Sequence, residues 1–142
     1  ARRIQAQKPL EVSGFIALEP CLDPRLKTAS YNQYAHGPVW TKTAATHAWN
    51  HYAPSGPSLA PYPYARALAE KMPPVIVFIN PADPLRDEGQ TWAFELVDGG
   101  AQVELHMLPG TVHGLLSAPN TKTWRQVQTL IKNFVTQLTQ NS

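Results

Sequence analysis

The chain is poor in the residues that announce several common functions. A single cysteine, Cys21, stands among 142 residues, which excludes an internal disulfide and any multi-cysteine zinc site. Charged residues make up only 15%, and the net charge of +2 comes from basic side chains scattered along the chain. A concentrated basic face for nucleic acid is therefore not expected. The longest apolar run, Val75 to Ile79, is far short of the ~18 residues that a membrane span requires. Basic residues open the chain at Arg2 and Arg3, but no apolar run follows them, so no signal peptide is read there. None of the eight glycines falls into a G-x-G-x-x-G or G-x-x-x-x-G-K pattern, which argues against a nucleotide-binding loop.

What is present is a globular composition, 43% hydrophobic, of a length that suits one domain. Residues 1–8 read as the tail of a helix closed by Pro9, with Arg2, Arg3 and Lys8 placed where the helix dipole favours cations. A domain that opens on the end of a helix leads us to expect that something precedes it. Val12 to Pro20 reads as a strand, mostly apolar without clean alternation, as for a strand covered on both faces. Residues 21–64 carry Pro24, Pro38, Pro54, Pro57, Pro61 and Pro63 with many aromatics, and form an irregular, cap-like excursion. One short helix is expected within it, from Thr41 to Tyr52, with Ala44, Ala48, Trp49 and Tyr52 on one face. A further helix is possible over residues 64–71.

The strongest strand is Val75 to Ile79, broken by Asn80-Pro81-Ala82-Asp83-Pro84. A helix then runs to Asp98, with Trp92–Leu96 and Ala93–Val97 pairs, and stops at Gly99-Gly100. A third strand spans Gln102 to Leu108. Asn120 is the expected N-cap of a last helix that carries Trp124, Val127, Leu130, Ile131, Phe134, Val135 and Leu138 on one face. Alternating strands and helices predict an α/β fold of about three parallel strands with flanking helices, and in such sheets functional groups gather at the carboxyl ends of strands. The first strand has no upstream neighbour in this sequence, and a bare apolar edge is a pairing hazard. We therefore expect either a missing half or a non-catalytic binding or assembly module that forms a homodimer through that edge.

Two side chains stand out as chemistry. Asp83 follows Ile79, the end of the central strand, by four residues, and His113 follows Leu108 by five. Adjacent parallel strands lie ~4.8 Å apart, so loops leaving their carboxyl ends can bring a carboxylate to an imidazole. Such a pair fixes the imidazole tautomer and stabilises the imidazolium, the supporting part of a nucleophile-activating triad. The competing reading of Asp83 is an ordinary helix cap before Pro84. His113 competes with His36, His47, His51 and His106; His106 lies inside a strand and reads as structural. His47 and His51 share the i,i+4 spacing of zinc ligands, but the intervening Ala48-Trp49-Asn50 holds no glutamate, and no metal is expected.

The run Asp83-Pro84-Leu85-Arg86-Asp87-Glu88-Gly89, with Gly110-Thr111-Val112-His113-Gly114-Leu115 thirty positions on, resembles the carboxyl-terminal part of an α/β-hydrolase. More narrowly it is similar to the hormone-sensitive-lipase-like esterases, the group of acetyl esterases and arylacetamide deacetylases. Phe15 to Asp23 looks like the strand after the nucleophile helix, Trp40 to Tyr52 like a helix covering the pocket, and Met72-Pro73-Pro74 like the lead into the acid-bearing strand. The resemblance implies that Asp83 is the triad acid and His113 the general base, with Leu85 and Leu115 beside the substrate. It implies that Arg86, Asp87 and Glu88 anchor the following helix. Asn80-Pro81-Ala82 departs from the family's commoner T-A-E-x.

No serine here sits in the G-x-S-x-G turn that carries the nucleophile of that fold, and no H-G-G-G oxyanion segment occurs. The resemblance places both upstream of Ala1. The expectation is a partial α/β-hydrolase domain over residues 1–142 that needs no cofactor. It would act on a small-molecule carboxylic ester when completed by an amino-terminal half chain, and would be inactive alone. One cysteine and no signal peptide favour a cytoplasmic location.

Overall fold

The structure is a computed structural model and describes residues 12–53, 69–114 and 118–140. The helix tail at residues 1–8, Leu115 and most of the possible helix over 64–71 lie outside the described residues. Three parallel strands form a sheet in the order β1 (Phe15–Leu18), β2 (Val75–Ile79), β3 (Val103–Met107). The helices are α1 (Ala29–Gln33), α2 (Lys42–Tyr52), α3 (Arg86–Asp98) and α4 (Lys122–Gln140), with a 3-10 turn at Ala69–Lys71. The register pairs Phe15 with Val75 and Leu18 with Phe78 on one side of β2, and Val75 with Val103 and Ile79 with Met107 on the other.

All five residues of β2 are buried because both faces are covered. Val75, Val77 and Ile79 pack with Ala17 against Ala93 and Leu96 of α3. Ile76 and Phe78 point the other way, to Val127 and Phe134 of α4. The period of two is therefore present in β2, but it sorts apolar side chains between two helix layers rather than between core and water. Gly89 allows the close approach of α3: a Cβ there would lie 2.7 Å from Ile79 Cγ2.

Several local expectations need correcting. The excursion holds two short helices among the described residues, not one; the unforeseen α1 is capped by Thr28, whose side chain accepts the Tyr31 N–H. On α2 the buried residue is Ala45, with Trp49 one turn on, while Ala48 and Tyr52 face solvent. Thr41 caps α2, accepting the Ala44 N–H at 3.0 Å. On α3 the buried set is Glu88, Gly89, Ala93 and Leu96, and Val97 is exposed. Thr121, not Asn120, caps α4 by accepting the Trp124 N–H at 3.1 Å, while Asn120 takes a left-handed φ of 69° in the preceding turn. Val135 of α4 is exposed, outside the stripe formed by Val127, Phe134 and their neighbours. For the faces of α2, α3 and α4, a stripe one residue wide of the true one reads equally well in sequence, because 3.6 residues per turn leaves i+3 and i+4 both near the contact line.

Candidate active site

The carboxyl ends of all three strands meet at one place. β2 ends at Ile79, and the chain turns at once through Asn80, Pro81 and Ala82 to Asp83. The Asp83 backbone carbonyl accepts the Arg86 N–H at 3.1 Å, and its Oδ1 accepts the Leu85 N–H at 2.8 Å. That is the geometry of an aspartate-headed turn leading into a helix. Beyond β3, Thr111 and Val112 run beside this turn, with a parallel bridge between Ala82 and Val112. The bridge sets His113 opposite Asp83, and His113 Nδ1 lies 3.0 Å from Asp83 Oδ2. The helix-cap reading of Asp83 needs correcting: α3 begins at Arg86 with Leu85 as its N-cap and no side-chain cap bond, and Asp83 instead orders the turn before it, one carboxylate oxygen on the Leu85 N–H and the other at the imidazole. The Asp83 side chain is 1% exposed and that of His113 is 16% exposed.

A second layer of polar groups supports the pair. Asn80, fully buried, reaches Glu19 Oε1 at 2.5 Å and Asp83 Oδ2 at 3.4 Å through its amide nitrogen. Its amide oxygen lies 2.6 Å from the Thr111 hydroxyl, which also lies 2.6 Å from the Leu108 carbonyl. Glu19, the residue directly after β1, accepts the Gly114 N–H at 3.0 Å and brings Oε2 to 4.0 Å from His113 Nε2. Trp40 covers the imidazole, with ring centroids 5.2 Å apart and planes tilted by 32°. Glu19, Asn80 and Thr111 were not anticipated as site residues, and Trp40, expected at the start of the pocket-covering helix, stands just before it. The legible signal was that Glu19 and Asn80 each stand immediately beyond an apolar strand, where side chains emerge at the functional end of the sheet.

Burial pulls the His113 pKa down, but the hydrogen bond and charge of Asp83, followed by the charge of Glu19, outweigh it and leave the ring above the ordinary 6.5. Burial pushes the Cys21 thiol up to about 11, reinforced by the charge of Glu88, so this cysteine is not a thiolate nucleophile at neutral pH.

The remaining singled-out residues have plain positions. Leu85 is buried beside Leu26, Tyr31 and Ala45, and Leu115 lies outside the described residues. Arg86 bonds Asp87 at 2.8 Å and the Pro81 carbonyl at 3.0 Å; Asp87 accepts the Ser30 N–H at 2.7 Å; Glu88 accepts the Leu22 N–H at 2.8 Å. These three side chains pin the start of the excursion and the Asp83 turn to α3. His106 stacks on Phe78, centroids 5.3 Å apart, as a structural strand residue. His36, His47 and His51 are exposed. Glu19, Asp83 and His113 form the one grouping of three metal-capable side chains among the described residues, their donor atoms lying within 4.8 Å of one another. The atoms that face each other on Asp83 and His113 are already hydrogen-bonded. No helix among the described residues is long and apolar enough to cross a membrane.

A parallel sheet flanked by helices is an α/β scaffold, and comparison with known proteins identifies which one. The profile of the α/β hydrolase fold matches residues 1–117, and the chain belongs to that family. A putative α/β hydrolase of Acanthamoeba polyphaga mimivirus is 27% identical over 118 residues, which are 75% of this chain and 34% of the viral protein. An arylesterase of Saccharolobus solfataricus is 37% identical over 60 residues, 42% of this chain and 19% of the relative. The crystal structure of a thermostable esterase from Pseudomonas putida superposes with a TM-score of 0.77 at 25% identity, over 89% of this chain and 42% of that one. The arylesterase and the Pseudomonas esterase uphold the resemblance to an esterase family. The chain spans about a third or less of the length of these curated relatives.

Proposed function

We propose that this chain carries the acid and the base of a carboxylic-ester hydrolase: His113 is the general base and Asp83 the acid that orients it. The observation that carries the reading is the 3.0 Å contact between His113 Nδ1 and Asp83 Oδ2. With Nδ1 donating to Asp83, Nε2 is the free acceptor. It takes the proton of a serine hydroxyl as that oxygen attacks the ester carbonyl, and later returns it to the leaving alcohol. Asp83 stabilises the imidazolium formed between those steps. The 142 residues hold no G-x-S-x-G sequence, so in this reading the nucleophile and the oxyanion donors come from residues outside them. Leu85 and Leu115 remain the proposed neighbours of the substrate.

The test is hydrolysis of p-nitrophenyl acetate by the full-length protein, beside Asp83→Asn and His113→Ala variants. Loss of turnover in both variants supports the reading, and full activity in either overturns it. The 142-residue chain alone should give no adduct with a fluorophosphonate; a stoichiometric adduct would place a nucleophile within it.

A second reading rests on β1, an edge strand among the described residues, with Ile16 38% exposed. In it, the edge pairs with another copy or with an amino-terminal half chain. A discrete dimer on gel filtration with slow amide exchange in Phe15–Leu18 favours it, and a monomer with fast exchange there removes it.

A further inference from the structure

The Glu19 carboxylate ties together three loops that leave three different strands. Its Oε1 accepts from Gly114, the residue after His113, and from Asn80, the residue after β2. Its Oε2 stands 4.0 Å from His113 Nε2, the ring nitrogen that Asp83 does not touch. The side chain is only 8% exposed. Its backbone has a φ of 48°, in the left-handed region, which is disfavoured for a residue with a Cβ. Glycine or asparagine would relieve that strain, yet neither could supply a carboxylate at this point.

We propose that Glu19 is a positioning residue for His113, fixing the histidine loop through the Gly114 N–H and placing a second negative charge on the Nε2 side of the ring. This deepens the ester-hydrolase reading and rests on it for its catalytic meaning, though not for its geometry. The ring then lies between two carboxylates, Asp83 from the turn after β2 and Glu19 from the end of β1. Those are the two charged groups acting on it among the described residues, and Trp40 covers it as a neutral face. The consequence is an imidazolium favoured from both edges and a loop that cannot swing Nε2 away. In the ester-hydrolase reading, Glu19 makes His113 a stronger base and holds it protonated to higher pH.

The experiment is imidazole and amide NMR on the 142-residue chain, with Glu19→Gln, Glu19→Ala and Asp83→Asn variants. Glu19→Gln keeps an oxygen for Gly114 and Asn80 but loses the charge. It should lower the His113 titration midpoint by about half a pH unit or more while leaving Gly114 amide exchange slow. Glu19→Ala should lower the midpoint and also speed Gly114 exchange at least tenfold. If Glu19→Ala fails to fold, the glutamine variant carries the charge test by itself. An unchanged midpoint in Glu19→Gln overturns the proposal. Asp83→Asn separates the two ideas: a midpoint that does not move there sinks the Asp83–His113 reading. A midpoint that moves with Asp83→Asn but not with Glu19→Gln sinks only the role of Glu19.

Discussion

Asp83 divides its carboxylate between two partners, the Leu85 N–H at 2.8 Å on Oδ1 and His113 Nδ1 at 3.0 Å on Oδ2. The division gives the histidine a rigid partner, because the same side chain is locked into the turn that starts α3. An aspartate held only by its histidine would have to give up rotamer freedom on meeting it; this one is already ordered.

Replacing Asp83 with asparagine should therefore leave the turn standing and disable the ring. The amide oxygen can still accept from Leu85, so the stability loss should stay at about 1–2 kcal/mol in urea unfolding. In the ester-hydrolase reading proposed above, turnover of p-nitrophenyl acetate should fall by about 10^3- to 10^4-fold, as when the acid of a triad no longer holds the productive tautomer. A downfield Nδ1–H proton resonance of the chain should vanish with the substitution.

Protonation of His113 should be visible from Trp40. The rings lie 5.2 Å apart, and an imidazolium against an indole quenches its fluorescence. Emission should drop as pH falls, with a midpoint above 6.5, and the drop should be absent from Trp40→Phe. A midpoint below 6.5 would contradict the outcome of burial against the two carboxylates.

Stability should decline as pH rises. The folded His113 binds its proton more tightly than the unfolded chain does. Its contribution is complete below about 6.5 and is lost as pH climbs through the raised folded value. Glu88 acts with the same sign. Burial raises its carboxyl from 4.5 to about 8, with the Leu22 N–H opposing and the Asp23 charge adding to the rise. Its proton therefore stabilises the fold below 4.5, and that stabilisation is lost between 4.5 and about 8. Glu88→Gln should flatten the decline between pH 5 and 8 and raise stability at pH 7 by more than about 1 kcal/mol. Urea midpoints across that range check both groups, with His113→Gln removing the upper part.

The two faces of α4 should differ sharply. Phe134 is 4% exposed within the Ile76 and Phe78 cluster, and Val135 is 44% exposed. Phe134→Ala should cost about 3–5 kcal/mol and Val135→Ala less than about 0.5. Comparable losses from the two would mean that the helix is seated on a different face.

Much of this was legible from residues one at a time. The apolar run at β2, the Gly99-Gly100 stop and the long stripe of α4 predict their elements because each depends on local periodicity or backbone freedom. The Asp83 and His113 segments could be singled out because strand ends gather functional groups. The exact helix faces were not legible, as Ala48, Val97 and Val135 show: which of two neighbouring apolar positions is buried depends on the partner surface. Nor was α1, whose five residues carry no full period and which is held by Thr28 and by Asp87 from far along the chain.

The sequence by itself determined that the chain forms an α/β sheet with an acid and a histidine beyond successive strands, since periodicity and spacing are properties of the chain alone. Tertiary structure decided that Glu19, 94 positions before His113, stands at the same ring, and that Asn80 links the two carboxylates. Parallel pairing places the ends of β1, β2 and β3 side by side, and no local pattern records which side chains will then share a few ångströms of space.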